Sequence, residues 1–434
     1  MNDNRFFSAE EYRARLERLR AAMAEEGLDA CLLSSPENIY YLTGLDHQGY
    51  FAYQLLVVGT TGEPILVTRA MERAVVRDQV PNVRHVGYSD GVAPIPAPET
   101  PAEDLVLAEP TDEGRVFGLE PWSTSLGMPT AGATREPPSV TAAVAATCGA
   151  IEEAGLSEAT LGFEQGSSFL PYRIARGIVD GLPAVSWRDA SGLVDRLRMI
   201  QSPRELACTR EAAKVSDAMM LAGIAAAGAG VPKRDVMAAV YDAMFRRGGT
   251  YPGFVPLVRS TRTLEHEHGT WDDGRLRQRD VLFLELAGCV RRYHAPTGRL
   301  VFIGSAPNRT HRIHDVCVAA TERAADSIGP GVRAREVYRA WQEVVDGAGL
   351  AGYRRHHCGY SVGIGFPPSW SGSGVPQGLR ADSELELQAG MVFHLMSWLL
   401  RTGRGDSFLS DTIVVTDRGA ELLTRSSREV LVRR

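Results

Sequence analysis

The chain uses one helix lead-in twice. Gly228-Ala229-Gly230-Val231 and Gly329-Pro330-Gly331-Val332 each open a stretch with helical spacing, and Val236 and Val337 hold matching places in the two copies. The first copy follows a helix that begins at Ser202-Pro203-Arg204-Glu205, with Ser as N-cap, Pro in the first turn and Glu at the third position. That helix runs to about Ala227, and the next reaches about Arg246. Two helix pairs with the same punctuation predict an internally duplicated domain with a pseudo-twofold.

Between the copies lies Asp280 to Gly304, which reads as two strands joined by a polar hairpin. Glu285 interrupts the apolar run Val281-Leu282-Phe283-Leu284. With a period of two, Val281, Phe283, Glu285 and Ala287 share one face. A carboxylate flanked in this way is either paired or has a raised pKa, and both conditions are commoner at working sites. The structural alternative is a partner such as Arg292 or Arg299. Upstream, Glu265-His266-Glu267-His268-Gly269-Thr270-Trp271 would place His266 and His268 on one face if the segment is extended. Each is otherwise a surface histidine of a charged loop.

At 434 residues, with 44% hydrophobic and 23% charged residues, this is an ordinary globular composition with room for two domains. A net charge of -6 gives no reason to expect nucleic acid as a partner. Lys214 and Lys233 are the only lysines, so Schiff-base chemistry has few candidates. The six cysteines (Cys31, Cys148, Cys208, Cys289, Cys317 and Cys358) include no CxxC pair and read as reduced thiols. The charged start MNDNRFFSAEEYRARLERLR has no apolar signal-peptide core, and no segment approaches the roughly 18 apolar residues of a membrane span. A cytoplasmic protein without a membrane partner is the expectation.

Before the duplicated domain, Ser8-x-x-Glu11 opens a helix that Gly27 stops. Strands are expected at Leu28–Leu33, Tyr53–Gly59, Pro64–Thr68, Leu161–Glu164 and Val185–Trp187, with a helix over Ser139–Ala154. Gly91 to Arg115 is rich in Pro, Ala and Glu and reads as an extended excursion. A domain boundary falls near Arg198, giving domains over 1–198 and 199–434.

This order, with Glu37-Asn38-x-x-Tyr41-Leu42-Thr43-Gly44, resembles the N-terminal domain of creatinase and the prolidases. The second half resembles the pita-bread fold of methionine aminopeptidase, Xaa-Pro dipeptidase and creatinase. The resemblance implies an α/β (α+β) chain: a creatinase-type mixed α/β domain, then a pseudo-twofold pita-bread catalytic domain. Its five metal-ligand positions fall here on Glu285, Pro296, Tyr360, Met396 and Ser410. Four of these are not hard-metal ligands, so the expectation is no metal and no cofactor. The wording Glu285-Leu286-Ala287-Gly288-Cys289, Arg292-Tyr293-His294-Ala295-Pro296 and Phe366-Pro367-Pro368-Ser369-Trp370 is similar to the metal-free branch of creatinase and ectoine hydrolase.

On that resemblance the chain is expected to be a metal-independent hydrolase of a C–N bond in a small amide, amidine or guanidino compound. His268 would activate water and Glu285 would anchor the substrate or protonate its leaving nitrogen. Tyr50, Phe51, Phe254, His266, His294, Tyr360, His394 and Trp398 are the expected substrate contacts. The resemblance further implies a homodimer in which Asp46–Phe51 of one N-terminal domain reaches the partner's site. Glutamates that creatinase and ectoine hydrolase keep are absent at Met396 and Ser410, so another group (His294, Tyr360, His394 or Asp411) must supply acid. Three other readings stay open: a catalytically silent binding module, a tailoring enzyme of non-hydrolytic chemistry, and a mononuclear metal site from His266, His268, Glu285 and His294.

Overall fold

A computed structural model describes residues 6–89, 138–372, 374 and 376–434. The Pro-rich segment from Gly91 to Arg115 lies outside the described residues. The chain divides into units Met1–Leu197 and Arg198–Arg434.

The first unit is built on a mixed sheet of β1 (Ala30–Leu33), β2 (Leu55–Gly59), β3 (Ile65–Arg69), β4 (Arg84–Tyr88), β5 (Thr160–Phe163) and β6 (Ser186–Asp189), in the order β4-β3-β2-β1-β5-β6. The neighbours β1–β2 and β2–β3 are antiparallel, and the remaining pairs are parallel. Helices Pro138–Glu153 and Tyr172–Gly181 lay Ala150, Ile151, Ile174 and Ile178 on the sheet residues Leu55, Val57, Val67 and Leu161. The buried Glu164 ties β5 to the start of helix Pro36–Thr43. Its Oε2 accepts from the Ser34 and Ser35 amides at 2.7 and 2.8 Å, and its Oε1 from Asn38 Nδ2 at 2.5 Å.

The second unit carries β7 (Leu257–Ser260), β8 (Val281–Val290), β9 (Tyr293–Ile303), β10 (Gly359–Ser361), β11 (Val392–Leu399), β12 (Ser407–Thr416), β13 (Gly419–Leu422) and β14 (Leu431–Arg433). Its sheet runs β10-β11-β12-β9-β8-β7, which reads the same after exchanging β7, β8 and β9 with β10, β11 and β12. The helices repeat likewise: Pro203–Ala226 and Lys233–Arg246 serve the first half, Asn308–Asp326 and Ala334–Val345 the second.

The duplication holds hydrogen bond by hydrogen bond. The Gly230 amide donates to Leu276 O and the Leu276 amide to Val231 O; the Gly331 amide donates to Leu387 O and the Leu387 amide to Val332 O. Gly230 and Gly331 adopt φ of 84° and 83°, a left-handed turn that glycine enters without strain. Val236 and Val337 are both fully buried.

One face of the sheet carries the helices. Leu282, Leu284, Leu286, Val301 and Ile303 pack with Met219, Met220, Val236 and Val240 in one half. In the other, Phe393, Leu395, Ile413 and Val415 pack with Cys317, Ala320, Val337 and Trp341. Strand side chains alternate, so Phe283, Glu285 and Ala287 with Pro296, Gly298, His394, Met396, Trp398, Ser410 and Thr412 point the opposite way. The functional question concerns that second face.

Candidate functional site

Register decides which groups meet there. Met396, Ser410, Gly298, Glu285 and Leu257 stand directly opposite one another across five strands. One step along the pleat, Tyr360 opposes His394, and His394 opposes Thr412. One step the other way sets Trp398 against Phe408 and Phe283 against Arg259. Opposed residues of neighbouring strands share a side, so these rows form one continuous surface.

Glu285 is 4% exposed. Burial pushes its pKa up to about 7, while the guanidinium groups of Arg259 and Arg355 pull the other way. Neither arginine expected as a partner takes that role: Arg299 pairs with Asp411 at 2.8 Å, and Arg292 stacks on Tyr251 at 4.1 Å. The carboxylate instead has His394 Nδ1 at 3.9 Å.

His394 is fully buried in β11, and burial drops its pKa to about 3, so the ring is neutral at working pH. Its Nδ1 lies 3.0 Å from Tyr360 Oη, which accepts from Trp370 Nε1 at 3.0 Å. Indole only donates, so the phenol oxygen accepts there; between Tyr360 and the neutral imidazole, either the tyrosine proton points at Nδ1 or the Nδ1 proton points at the phenol oxygen. Nε2 has no partner among the described residues, nor has Ser410 Oγ. Burial also holds the Tyr360 phenol well above its ordinary pKa, so it stays protonated. The result is a neutral chain of donors ending beside a carboxyl that titrates near neutrality.

The aromatic run continues outward. Trp370 stands 5.0 Å from Phe254, whose ring is 6.1 Å from that of His268. His266 and His268 do not share a strand face: residues 264–268 form turns, both side chains are exposed, and the His266 carbonyl accepts from Arg259 Nη1 at 2.8 Å. His294 lies elsewhere in function. Its Nε2 accepts from the Gly253 amide at 2.8 Å and its Nδ1 faces Gly363 O at 3.3 Å, so both ring nitrogens fasten backbone. Burial lowers its pKa to about 4, in keeping with that neutral role. Asp411 is held by Arg299, Arg428 and Thr424. Trp398 lies on the open face, stacked against Arg259 and Arg355. Tyr293 gives its hydroxyl to Glu205, and Trp271 packs on Tyr241, so both serve the helix side. Tyr50 and Phe51 belong to the first unit, where Tyr50 packs on Phe169 and Phe51 lies under Arg69.

Sequence reasoning did not pick out Arg259 or Arg355, nor His357, whose ring lies 5.4 Å from that of Tyr360. Arg259 had a visible signal, as the one charge in Phe254-Val255-Pro256-Leu257-Val258-Arg259. The metal positions implied by resemblance do lie together on the open face, but they offer one carboxylate, a proline, a phenol, a thioether and a hydroxyl. Among the described residues no group of three His, Cys, Asp or Glu side chains is placed to hold a metal ion. The donors do not fit a pair of hard cations. The mononuclear alternative fails likewise, because His294 is committed to backbone and His266 and His268 stand outside.

Comparison with known proteins adds the family. Residues 207–417 match the profile of metallopeptidase family M24, and residues 15–134 match the creatinase/prolidase N-terminal domain. The chain therefore carries a metallopeptidase family M24 domain, of pita-bread fold, behind a creatinase/prolidase N-terminal domain. It is 27% identical to the ectoine hydrolase of Halomonas elongata and 28% identical to an uncharacterized hydrolase/peptidase of Sinorhizobium fredii. Each alignment covers 98% of both chains. The Xaa-Pro dipeptidase of Bacillus anthracis superposes with a TM-score of 0.74 at 20% identity, over 97% of this chain and 99% of that one. As a pita-bread protein with these relatives, the chain is an enzyme of the hydrolase type to which ectoine hydrolase, creatinase and the prolidases belong.

Proposed function

We propose that this pita-bread protein hydrolyses a C–N bond of a small polar amide, amidine or guanidino compound without a metal ion. The observation that carries the reading is the open sheet face. A single buried carboxyl, Glu285, stands there beside a neutral His394–Tyr360–Trp370 chain, where a hard-metal ligand set would otherwise lie. His268, at the outer end of the aromatic run, takes a proton from water as the water oxygen bonds to the substrate carbon. The C–N bond then breaks, its electron pair leaves with nitrogen, and the Glu285 carboxyl delivers a proton to that nitrogen. A carboxyl with a pKa near 7 is protonated often enough at neutral pH to do so and is readily reprotonated. His394 Nε2 and Ser410 Oγ supply polar contacts to the substrate, with Phe254, Tyr360 and Trp398 as walls. A homodimer is part of the same proposal, as is a small-molecule substrate.

The test is product mass on ectoine, creatine, N-acyl diamines and amidino acids, using protein dialysed against a chelator. Gain of one water, lost in His268→Ala and in Glu285→Gln, supports the proposal. A product without added water sinks hydrolysis. Saturable binding without turnover sinks catalysis and leaves a binding module. Activity that the chelator abolishes and a stoichiometric metal restores sinks metal independence.

A further inference from the structure

Of the two lysines in the chain, Lys214 is exposed and Lys233 is buried. Lys233 opens the helix Lys233–Arg246, at the place that Ala334 takes in the second copy. The Lys233 amide donates to Gly274 O at 3.0 Å, and the Ala334 amide donates to Leu385 O at 2.8 Å. The backbone is therefore alike in the two copies, and the side chain is what differs. Burying an ammonium group is costly unless its protons are matched.

Their acceptors lie at the two ends of one loop. The Lys233 Nζ donates to Asp272 Oδ2 at 2.6 Å and to Ser260 Oγ at 3.3 Å. Ser260 is the last residue of β7, and its side chain also caps the turn Thr261–Thr263. Asp272 is fixed in turn, because its Oδ1 accepts from the Gly274 amide at 2.6 Å. A single buried ammonium thus joins the stems of residues 261–271 and closes the neck of an Ω-type loop. An ammonium sends its protons in diverging directions, which suits two stems better than the flat fork of a guanidinium.

The loop carries His268. On its N-terminal side Arg259 holds the Leu264 and His266 carbonyls. Glu265 pairs with Arg401 and Glu267 with Arg355, but both carboxylates are exposed, and such pairs contribute little. On the C-terminal side the ties are the Trp271 ring on Tyr241 and the Lys233 contact with Asp272. We infer that Lys233 is a positioning residue, which closes the neck of this loop and thereby sets where His268 stands against Phe254. The inference rests on the function proposed above, and it adds a residue outside the pocket to the machinery of that reaction.

The test uses the full chain with Lys233→Met, Asp272→Asn and the double variant. Lys233→Met leaves no buried charge behind, because the Asp272 side chain is 49% exposed. Hydrogen exchange is expected to quicken by about tenfold or more in peptides spanning 261–272, with β8 unchanged. On a substrate from the panel above, each single variant should lower kcat by about tenfold or more, with KM within about twofold. The double variant should fall no more than about twofold below the worse single variant, since both remove one contact. A fold loss that moved kcat through global stability would instead quicken exchange in β8 as well, and that result overturns the inference. So does unchanged loop exchange, unchanged kcat, or losses that multiply. Asp272→Asn decides alone if Lys233→Met does not fold. Wild-type protein without turnover ends the hydrolase reading, and loop exchange then decides the neck contact by itself.

Discussion

At the scale of single residues, Tyr360 holds the site together. Its hydroxyl oxygen accepts a hydrogen bond from Trp370 Nε1 and faces His394 Nδ1, each at 3.0 Å. Tyr360→Phe leaves an indole N–H and an imidazole nitrogen buried without partners. The expected cost is on the order of 2–4 kcal/mol in chemical denaturation, with a fall in kcat as the imidazole loses its Nδ1 partner. Glu285→Gln is expected to lower kcat by about 100-fold or more, with KM little changed. Because the carboxyl must be protonated to act, wild-type activity should fall as pH rises through about 7.

Stability follows the same group. Below about pH 4.5 the Glu285 carboxyl is protonated whether folded or not. Between 4.5 and 7 the unfolded chain ionises first, so folding stability declines across that window and the deficit persists above it. Glu285→Gln removes this slope, and relative to wild type it should gain on the order of 2–3 kcal/mol between pH 4 and pH 8. Equal wild-type and variant slopes in urea melts across that range would contradict the assignment.

At the scale of elements, the duplicated turns give a controlled comparison. Gly230 and Gly331 share a positive φ, and a Cβ at either would meet nothing within 4 Å. Gly230→Ala and Gly331→Ala should therefore each cost about 1–2 kcal/mol from backbone strain alone, and by similar amounts. A large inequality in their urea midpoints would show that the halves are not equivalent there.

The duplication was legible in the sequence because two glycines and a valine fix a local conformation. Glu285 was legible because alternation along β8 assigns its face without reference to any other strand. The expectation of His268 beside His266 on an extended face failed because the backbone at 264–268 turns, with Arg259 holding two of its carbonyls. The partnership of Glu285 with His394, and the meeting of Arg259 with Trp398, were not legible for a further reason. They depend on the register between strands more than a hundred residues apart, such as Ser410 opposite Gly298, and the period of a strand does not encode its neighbour. His294 illustrates the same limit. Its sequence context marks it as polar in an apolar run, yet only the fold reveals that Gly253 and Gly363 take both nitrogens.

At the scale of the whole molecule, the two units answer different questions. The first depends on Glu164, which three donors hold in place although burial raises its pKa to about 7. Glu164→Gln turns an amide N–H₂ toward donors and should destabilise that unit by about 2 kcal/mol or more, read from its own transition in a thermal melt. No helix among the described residues is long and apolar enough to cross a membrane. Light scattering tests the proposed homodimer; a monomer would remove the role assigned to Tyr50 and Phe51. The second unit is two copies of one architecture that have parted in chemistry. Across the central pair of strands, the carboxyl of Glu285 on one side answers to the thioether of Met396 on the other. A cradle with equal halves would accept a molecule either way round. This one carries a carboxyl on one side only, so a ligand lying across it has a head and a tail, and one of its two orientations alone brings a nitrogen to the acid.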